Sequence, residues 1–109
     1  MAWLQLALAI LLEVAGTTSM KLSSGFERLI PSVLMFVFYL LSFVVFTYAL
    51  KRIEVSIAYA VWSGVGTVLI TLVGAYLFKE PLGWVKLVSI FLIVTGVVGL
   101  RLSSGAGTE

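Results

Sequence analysis

Four long apolar runs limit what this chain can fold into. They cover residues 3–20, 32–50, 55–78 and 85–102 of 109 residues, and each is close to the roughly 20 residues with which a helix crosses a bilayer. The composition agrees, because 61% of the residues are apolar and 11% are charged, unlike a soluble domain. The sequence therefore predicts an all-α integral membrane protein, with four transmembrane helices in a single domain over residues 1–109.

The residues between the runs are typical of short turns. Ser23-Ser24-Gly25 follows the first run, Lys51-Arg52 closes the second, and Pro31 and Pro81 are predicted at first-turn positions of the helices that follow. Turns this short predict one compact bundle with an up-down-up-down arrangement. The first run is interpreted as an uncleaved span, because it lacks a preceding basic region and contains a carboxylate. The polar tail SSGAGTE, residues 103–109, is predicted to be disordered.

The basic residues of the turns give almost no orientation signal. Four lie on one predicted side of the membrane, and three lie with the N-terminal amine on the other: Lys21, Arg28, Lys79 and Lys86 against Lys51, Arg52 and Arg101. Because loop Lys and Arg set orientation, a balanced chain can insert both ways and pair as an antiparallel, dual-topology homodimer. A fixed orientation set by other features is the alternative. The net charge of +2 suits turns facing anionic lipid, and no Lys/Arg cluster indicates nucleic acid.

Glu13 is the one charged residue deep inside a predicted span. It follows Trp3 by ten residues, which is roughly 15 Å along a helix and close to the bilayer midplane. An ionised group there costs on the order of 2.5–3.5 kcal/mol, so such residues usually face a cavity or bundle interior and have a function. No Lys, Arg or His lies at similar depth in another span, which favours a carboxylate kept free for a proton or a cation. A structural hydrogen bond between helices is the alternative.

The residues that accompany Glu13 at helical spacing suit a cavity. On the first span they are small or adaptable, and include Ile10, Gly16 and Thr17. Aromatic rings and hydroxyls mark one face of each of the next two spans: Tyr39, Ser42, Phe43, Tyr59, Trp62 and Ser63. Because aromatic faces attract cations where water is excluded, these residues predict a cation site beside Glu13. Helix packing or lipid contact is the alternative.

Small residues mark two further features. Gly64 and Gly66 lie in the middle of the third span, where paired glycines permit a bend. They predict a hinge for alternating access, with close helix packing as the alternative. A stripe with heptad-like spacing on the fourth span predicts a dimer interface, with contact inside the chain as the alternative: Ser89, Leu92, Gly96 and Gly99.

Three segments together resemble the small multidrug resistance family of bacterial exporters. They are LEVAGTTSMKLSSGFERLIPS, IAYAVWSGVGTVLI and the late TGVVG, and the resemblance covers nearly the whole chain. It implies an antiparallel homodimer in the bacterial cytoplasmic (inner) membrane that exports toxic cations in exchange for protons. The partners implied are protons, cationic substrates, membrane lipid and a second copy of the chain.

The resemblance also implies roles for individual residues. Glu13 resembles the carboxylate that binds proton and substrate, and Tyr39, Tyr59 and Trp62 resemble the aromatic residues that contact the cation. Gly64 and Gly66 match the bend of the third helix, and Gly96 matches a glycine of the dimerising fourth helix. Ser89 departs from the pattern, since many members have glycine there.

The segment Gly16-Thr17-Thr18 resembles the branch of the family that exports quaternary ammonium compounds. Guanidinium exporters usually carry Trp at the position of Gly16 and Gly at that of Ile10. A glycine in place of Trp is expected to leave volume beside Glu13 and to remove an indole donor, so that a bulkier and less polar cation fits.

A mechanism follows from burial of Glu13. Apolar surroundings favour the neutral carboxyl group and a bound cation favours the charged one, so proton and drug compete for Glu13. In a dimer the two copies of Glu13 titrate as a pair, and alternation is expected by bending at Gly64 and Gly66.

Rival functions stay open at this point. They are an exporter of guanidinium, polyamine or a lipid carrier on the same scaffold, and a nontransporting structural or regulatory subunit. An enzyme is not expected, because the chain has no His, no Cys and no pair of buried carboxylates. No metal and no cofactor is expected either.

Overall fold

Four helices account for most of the chain in the computed structural model, which describes residues 2–104, without the side chain of Ser104. They are α1 (Ala2–Leu22), α2 (Leu29–Ala49), α3 (Val55–Leu77) and α4 (Trp84–Ser104). Each is long and apolar enough to cross a membrane, as the four apolar runs predict, and the ends differ from the predicted ones by at most three residues. Of the tail predicted to be disordered, Ser103 and Ser104 are helical, so the prediction is wrong there, and residues 105–109 lie outside the described residues.

The turn between α1 and α2 is built around a buried serine. The Ser23 hydroxyl donates to the Met20 carbonyl at 2.7 Å and accepts from the Phe26 N–H at 3.2 Å. Ser24, Gly25 and Phe26 all have left-handed backbone conformations, with φ of 50°, 69° and 72°. Two of them carry a Cβ in that unfavourable region, so the Ser23 hydrogen bonds help to hold the turn.

Pro31 lies in the first turn of α2 as predicted, but the prediction for Pro81 is wrong. The chain first folds back over the end of α3, since the N–H groups of Phe78 and Glu80 both donate to the Gly74 carbonyl, at 3.1 and 3.0 Å. α4 begins only at Trp84, and its first turn is closed by Leu87 N–H donating to Gly83 O at 3.0 Å. Pro81 thus precedes the helix.

α1 is the central helix of the fold. Its buried stripe has a spacing of four residues, which places side chains on one face of a helix, and it packs against buried residues of α2, α3 and the turn between them. The cluster comprises Ala2, Leu6, Ile10, Val14, Ala49, Ile53, Ile57 and Ala58. Glu13 adjoins this stripe on α1, whereas Leu4, Leu8 and Leu11 on another part of the helix surface are exposed.

α4 stands apart from this core, so the predicted compact bundle of four helices is wrong for the single chain. It packs mainly against α3, where Val97 and Ile93 lie over Gly64, and near its end the Arg101 guanidinium lies 4.6 Å from the Trp3 ring centroid. None of the α4 side chains that the structure describes is buried. The chain is accordingly a slab of 46 × 35 × 16 Å, with one apolar helix at its margin.

Candidate functional site

Glu13 opens into a cleft between α1 and α3, here called the Glu13 cleft, with a volume of about 290 Å³. α1 contributes the carboxylate and a hydroxyl one turn later, and α3 contributes the opposite wall. The lining residues are Glu13, Thr17, Tyr59, Trp62, Ser63, Gly66, Thr67 and Ile70. The faces predicted on the first and third spans therefore meet, and no lysine or arginine is among the residues that line the cleft.

A chain of hydrogen bonds holds the carboxylate. The Thr17 hydroxyl donates to Glu13 Oε2 at 2.7 Å and lies 2.6 Å from the Tyr39 hydroxyl. An ionised carboxylate only accepts hydrogen bonds, and a threonine hydroxyl has one proton to donate. With Glu13 charged, Thr17 must therefore accept from Tyr39, and the donors run from Tyr39 through Thr17 to Glu13.

Tyr39 also fills the space beside Gly16. A Cβ added to Gly16 would lie only 2.6 Å from Cδ1 of the Tyr39 ring, a distance that real Cβ atoms do not tolerate. The prediction that Gly16 leaves open volume beside Glu13 is wrong here, because the tyrosine ring occupies it. The glycine instead lets α1 and α2 approach closely enough for Tyr39 to reach Thr17.

Trp62 is the centre of an aromatic cluster at one end of the Glu13 cleft. Its ring lies 5.5 Å from Tyr59, at 88° to it, and 6.2 Å from Phe43, while Phe46 approaches to 4.8 Å. Phe43 also stacks on Tyr39 at 6.2 Å. Within residues 2–104 the buried Trp62 indole N–H has no hydrogen-bond partner. The cluster thus offers ring faces and one unused donor beside a carboxylate.

The two glycines predicted as a hinge face different neighbours. A Cβ on Gly66 would lie 3.6 Å from Glu13 Oε1, in ordinary contact. A Cβ on Gly64 would lie 2.5 Å from Val97 Cγ2 on α4. α3 is a continuous helix through both positions, so bending there stays a prediction. Close helix packing, the alternative explanation of the two glycines, is found at Gly64.

Two other predicted site residues lie away from the Glu13 cleft. Ile10 is part of the α1 core stripe, and Ser42 is fully buried and donates to the Ala9 carbonyl at 2.7 Å. Both stabilise the contact of α1 with its neighbours. Phe43 is half exposed and is not among the residues that line the cleft, but its ring contacts those of Trp62 and Tyr39.

Pattern reasoning missed Thr67 and Ile70, which complete the α3 wall. They follow Ser63 and Gly66 by four residues, so continuing the predicted face by one helical turn would have found them. The Thr67 hydroxyl donates to the Ser63 carbonyl at 2.7 Å.

The small-residue stripe of α4 is open. Leu92 is 64% exposed, and among residues 2–104 no atom lies within 4 Å of a Cβ added to Gly96 or Gly99. Ser89 is exposed too. Contact inside the chain, the alternative explanation of the stripe, is therefore not found for these residues.

One cleft lined by a carboxylate, hydroxyls and aromatic rings, in a chain of four membrane-length helices, points to the class of small membrane transporters. Residues 1–93 match the family model described as Small Multidrug Resistance protein. The chain belongs to this family, as the three sequence segments predict, and is a multi-pass protein of the bacterial inner membrane.

Several relatives are similar over nearly the full chain. The chain is 59% identical over 102 residues to the Bacillus subtilis protein named uncharacterized membrane protein YvaE, covering 94% of this chain and 86% of that protein. It is 39% identical over 104 residues to proteins named guanidinium exporter in Escherichia coli K12 and Yersinia pseudotuberculosis. These matches cover 95% of this chain and 99% and 100% of the respective relatives.

Proposed function

We propose that this protein is a proton-coupled antiporter that exports hydrophobic and quaternary ammonium cations, with Glu13 binding protons and substrate in turn. The observation that carries the proposal is the composition of the Glu13 cleft. It combines one carboxylate with the rings of Tyr59 and Trp62 and has no basic residue in its lining. Such a site attracts a cation, and none of the described residues that line it is a cationic partner for the carboxylate.

Competition between proton and cation supplies the coupling. A protonated carboxyl group offers no negative charge to a cation, so Glu13 holds either a proton or a cation. Protonation from the acidic side therefore expels the cation, and loss of the proton on the other side prepares the site again. Thr17 holds the carboxylate in place because it donates to Oε2.

The aromatic walls favour a substrate with dispersed charge. The rings of Tyr59 and Trp62 pack edge to face, with centroids 5.5 Å apart, so a cation does not fit between them. Both rings line the cleft, and a ring face presented to the cleft attracts a cation through its quadrupole. Besides the carboxylate, the polar groups of the lining are the Trp62 indole N–H and four hydroxyls, of which that of Thr17 donates to Glu13 and that of Thr67 donates to the backbone. Loose specificity for apolar cations follows from such a lining.

The working unit in this proposal is an antiparallel homodimer. α4 leaves its apolar surface and its small-residue stripe uncovered, and small residues permit close helix pairing in membranes. The near balance of basic residues between the two sides of the chain supports both orientations.

Guanidinium export is the second candidate, and the names of the relatives at 39% identity favour it. Guanidinium is small, planar and rich in hydrogen-bond donors. Tyr39 takes the place beside Gly16, so open volume at that position no longer argues for a bulkier cation. The rings of Tyr59 and Trp62 that wall the Glu13 cleft still support an apolar cation as the preferred substrate.

Flux measurements on the purified protein test the proposal. Proteoliposomes with an imposed pH gradient are compared for uptake of tetrapropylammonium and of guanidinium. Glu13→Gln removes the titratable group, and Glu54→Gln, at an exposed turn position, is the matched control. Gradient-driven flux of tetrapropylammonium that is lost in Glu13→Gln and kept in Glu54→Gln is expected.

Other results would change the assignment. Flux of guanidinium alone would overturn the quaternary ammonium assignment in favour of the second candidate. Flux of neither cation would point to a required partner subunit or to a role outside transport. Equal flux in wild type and Glu13→Gln would remove Glu13 from the mechanism.

A further inference from the structure

A second pocket adjoins the Glu13 cleft at the ends of α1 and α3. This outer pocket has a volume of about 120 Å³, less than half that of the cleft. Thr17 and Ile70 line both spaces, so the two adjoin at these side chains. The remaining lining residues of the outer pocket are Lys21, Gly74, Phe78 and Glu80. Because α1 and α3 both end here, the outer pocket lies toward the membrane surface.

The loop after α3 is shaped to place the Glu80 carboxylate in this pocket. The Glu80 N–H donates to the Gly74 carbonyl at 3.0 Å, which folds the loop back over the helix end. The carboxylate then lies directly on Gly74, where a Cβ would collide with Glu80 Oε1. Glu80 is nevertheless exposed, so its negative charge can be reached from water.

The outer pocket already holds a cationic group of the chain itself. The Lys21 ammonium lies 5.8 Å from the centroid of the Phe78 ring, within the range of a cation–π contact. The aromatic ring and carboxylate of this pocket repeat, on a smaller scale, the chemistry of the Glu13 cleft. The function proposed above assigns no role to Phe78 or Glu80.

We propose that Phe78 and Glu80 form an outer cation subsite, in which Lys21 is a tethered occupant that a transported cation displaces on its way to or from Glu13. This inference rests on the proposed function, since it places the subsite on the path of the exported cation. The ligand is an organic ammonium or guanidinium group, recognised by the ring face and the carboxylate. Lys21 holds the subsite closed to weakly bound cations and gives way to those that also bury apolar surface.

The subsite makes opposite predictions for its two charged residues. Glu80→Gln and Phe78→Leu weaken the subsite, so the KM for tetrapropylammonium should rise about two- to fivefold with little change in the maximal rate. Lys21→Gln removes the competing ammonium group, so the KM should fall by about the same factor. Phe78→Leu changes no charge, which separates recognition by the ring from general attraction of cations to the surface.

The chain offers matched controls for both charged residues. The Lys51 ammonium lies 5.6 Å from the Tyr48 ring centroid, the same kind of contact, but it lines neither the outer pocket nor the Glu13 cleft. Lys51→Gln is therefore the control for Lys21→Gln, because it removes an ammonium group from a ring at a position that lines neither space. Glu54→Gln is the control for Glu80→Gln, because it removes a carboxylate charge at such a position. KM values in these two controls should stay at the wild-type level.

A binding measurement in the Glu13→Gln background separates the subsite from the main site. Tetrapropylammonium is titrated into this variant and followed by NMR of the Phe78 ring and the Lys21 side chain. Shifts at both residues that are abolished by adding Glu80→Gln are expected. No shift at Phe78 and Lys21 would overturn the subsite, whatever the flux experiment shows.

KM values for Glu80→Gln, Phe78→Leu and Lys21→Gln that equal those of the controls would also overturn the subsite. The proposed function would still stand if Glu13→Gln had lost its flux. The two failures are thereby distinguishable.

Discussion

Thr17 connects a residue of α2 to the carboxylate of α1. Its hydroxyl donates to Glu13 and accepts from Tyr39, so it acts on the binding site by holding Glu13 in place. Hydrogen bonds to charged groups are worth about 1.5–3 kcal/mol, roughly twice those between neutral groups. The inner link of this chain should therefore matter more than the outer one.

Thr17→Val is predicted to weaken cation binding at Glu13 roughly tenfold or more, since it removes a hydrogen bond to the charged carboxylate. Tyr39→Phe removes only the outer link and should weaken binding by a smaller factor. The matched control is Thr18→Val, because the Thr18 hydroxyl donates to the backbone carbonyl of Val14. Equilibrium binding of tetrapropylammonium in detergent measures all three variants, and a larger effect of Tyr39→Phe than of Thr17→Val would contradict this order.

Sequence pattern predicted the residues of the site that lie on a shared helix face with Glu13 or with Trp62. Thr17 follows Glu13 by four residues, Trp62 follows Tyr59 by three and Ser63 follows Tyr59 by four, so helical periodicity places each pair on one face. It could not place Ser42, which lies one residue from Phe43 yet faces the Ala9 carbonyl. The rotation of α2 about its axis depends on how it packs against α1, and a single-helix pattern does not contain that information.

The two central glycines of α3 act on different neighbours. Gly64 provides room for Val97 of α4, and Gly66 provides room beside Glu13. If both glycines were a hinge, substituting either one should change stability and binding similarly, whereas their different neighbours predict different changes. α3 thus contacts α4 on the face of Gly64 and lines the Glu13 cleft on the face of Gly66.

Gly64→Ala is predicted to destabilise the protein by about 1–3 kcal/mol, because the new methyl group overpacks the contact with Val97. Gly66→Ala should keep or raise thermal stability, since alanine favours a helix by about 1 kcal/mol, but it narrows the cleft and should weaken tetrapropylammonium binding. Thermal unfolding and binding in detergent are measured together. Adding Val97→Ala to Gly64→Ala should restore part of the lost stability, and equal effects of both glycine substitutions on both readouts would instead indicate a hinge.

Helix existence was predictable for all four elements, while some boundaries were not. Apolar runs and polar turns identify α1 to α4 within three residues of each end. Pro81 misled the prediction because proline suits both a first turn and a loop before it. The Glu80 N–H donates to the Gly74 carbonyl and folds the chain back over the end of α3, which places Pro81 in the loop. The sequence pattern around Pro81 does not predict this hydrogen bond.

The whole molecule is a slab with an uncovered helix, rather than the compact bundle that short turns predict. In a membrane, apolar side chains of α4 can face lipid without a hydrophobic penalty, so apolarity alone does not bring α4 onto the other helices. Hydropathy therefore predicts that α4 crosses the membrane but not what it packs against. Val97 of α4 packs over Gly64 because glycine has no side chain there. A hydropathy pattern does not predict such a contact.

Gly96→Leu is predicted to weaken self-association at least tenfold and to abolish antiport while leaving the fold of the single chain intact. Its new side chain meets no atom of the chain within 4 Å of the Cβ, but it would overpack a helix pair in which the stripe of Ser89, Leu92, Gly96 and Gly99 is the contact. Val98→Leu is the control, since Val98 is 52% exposed and lies on the opposite side of α4 from the stripe. Sedimentation in detergent gives the association constant, helical circular dichroism reports the fold, and flux in proteoliposomes reports function. An unchanged association constant in Gly96→Leu would contradict the stripe as the dimer interface and place the partner on another surface of the slab. If flux were lost in that case, the stripe would be needed for transport but not for dimerisation.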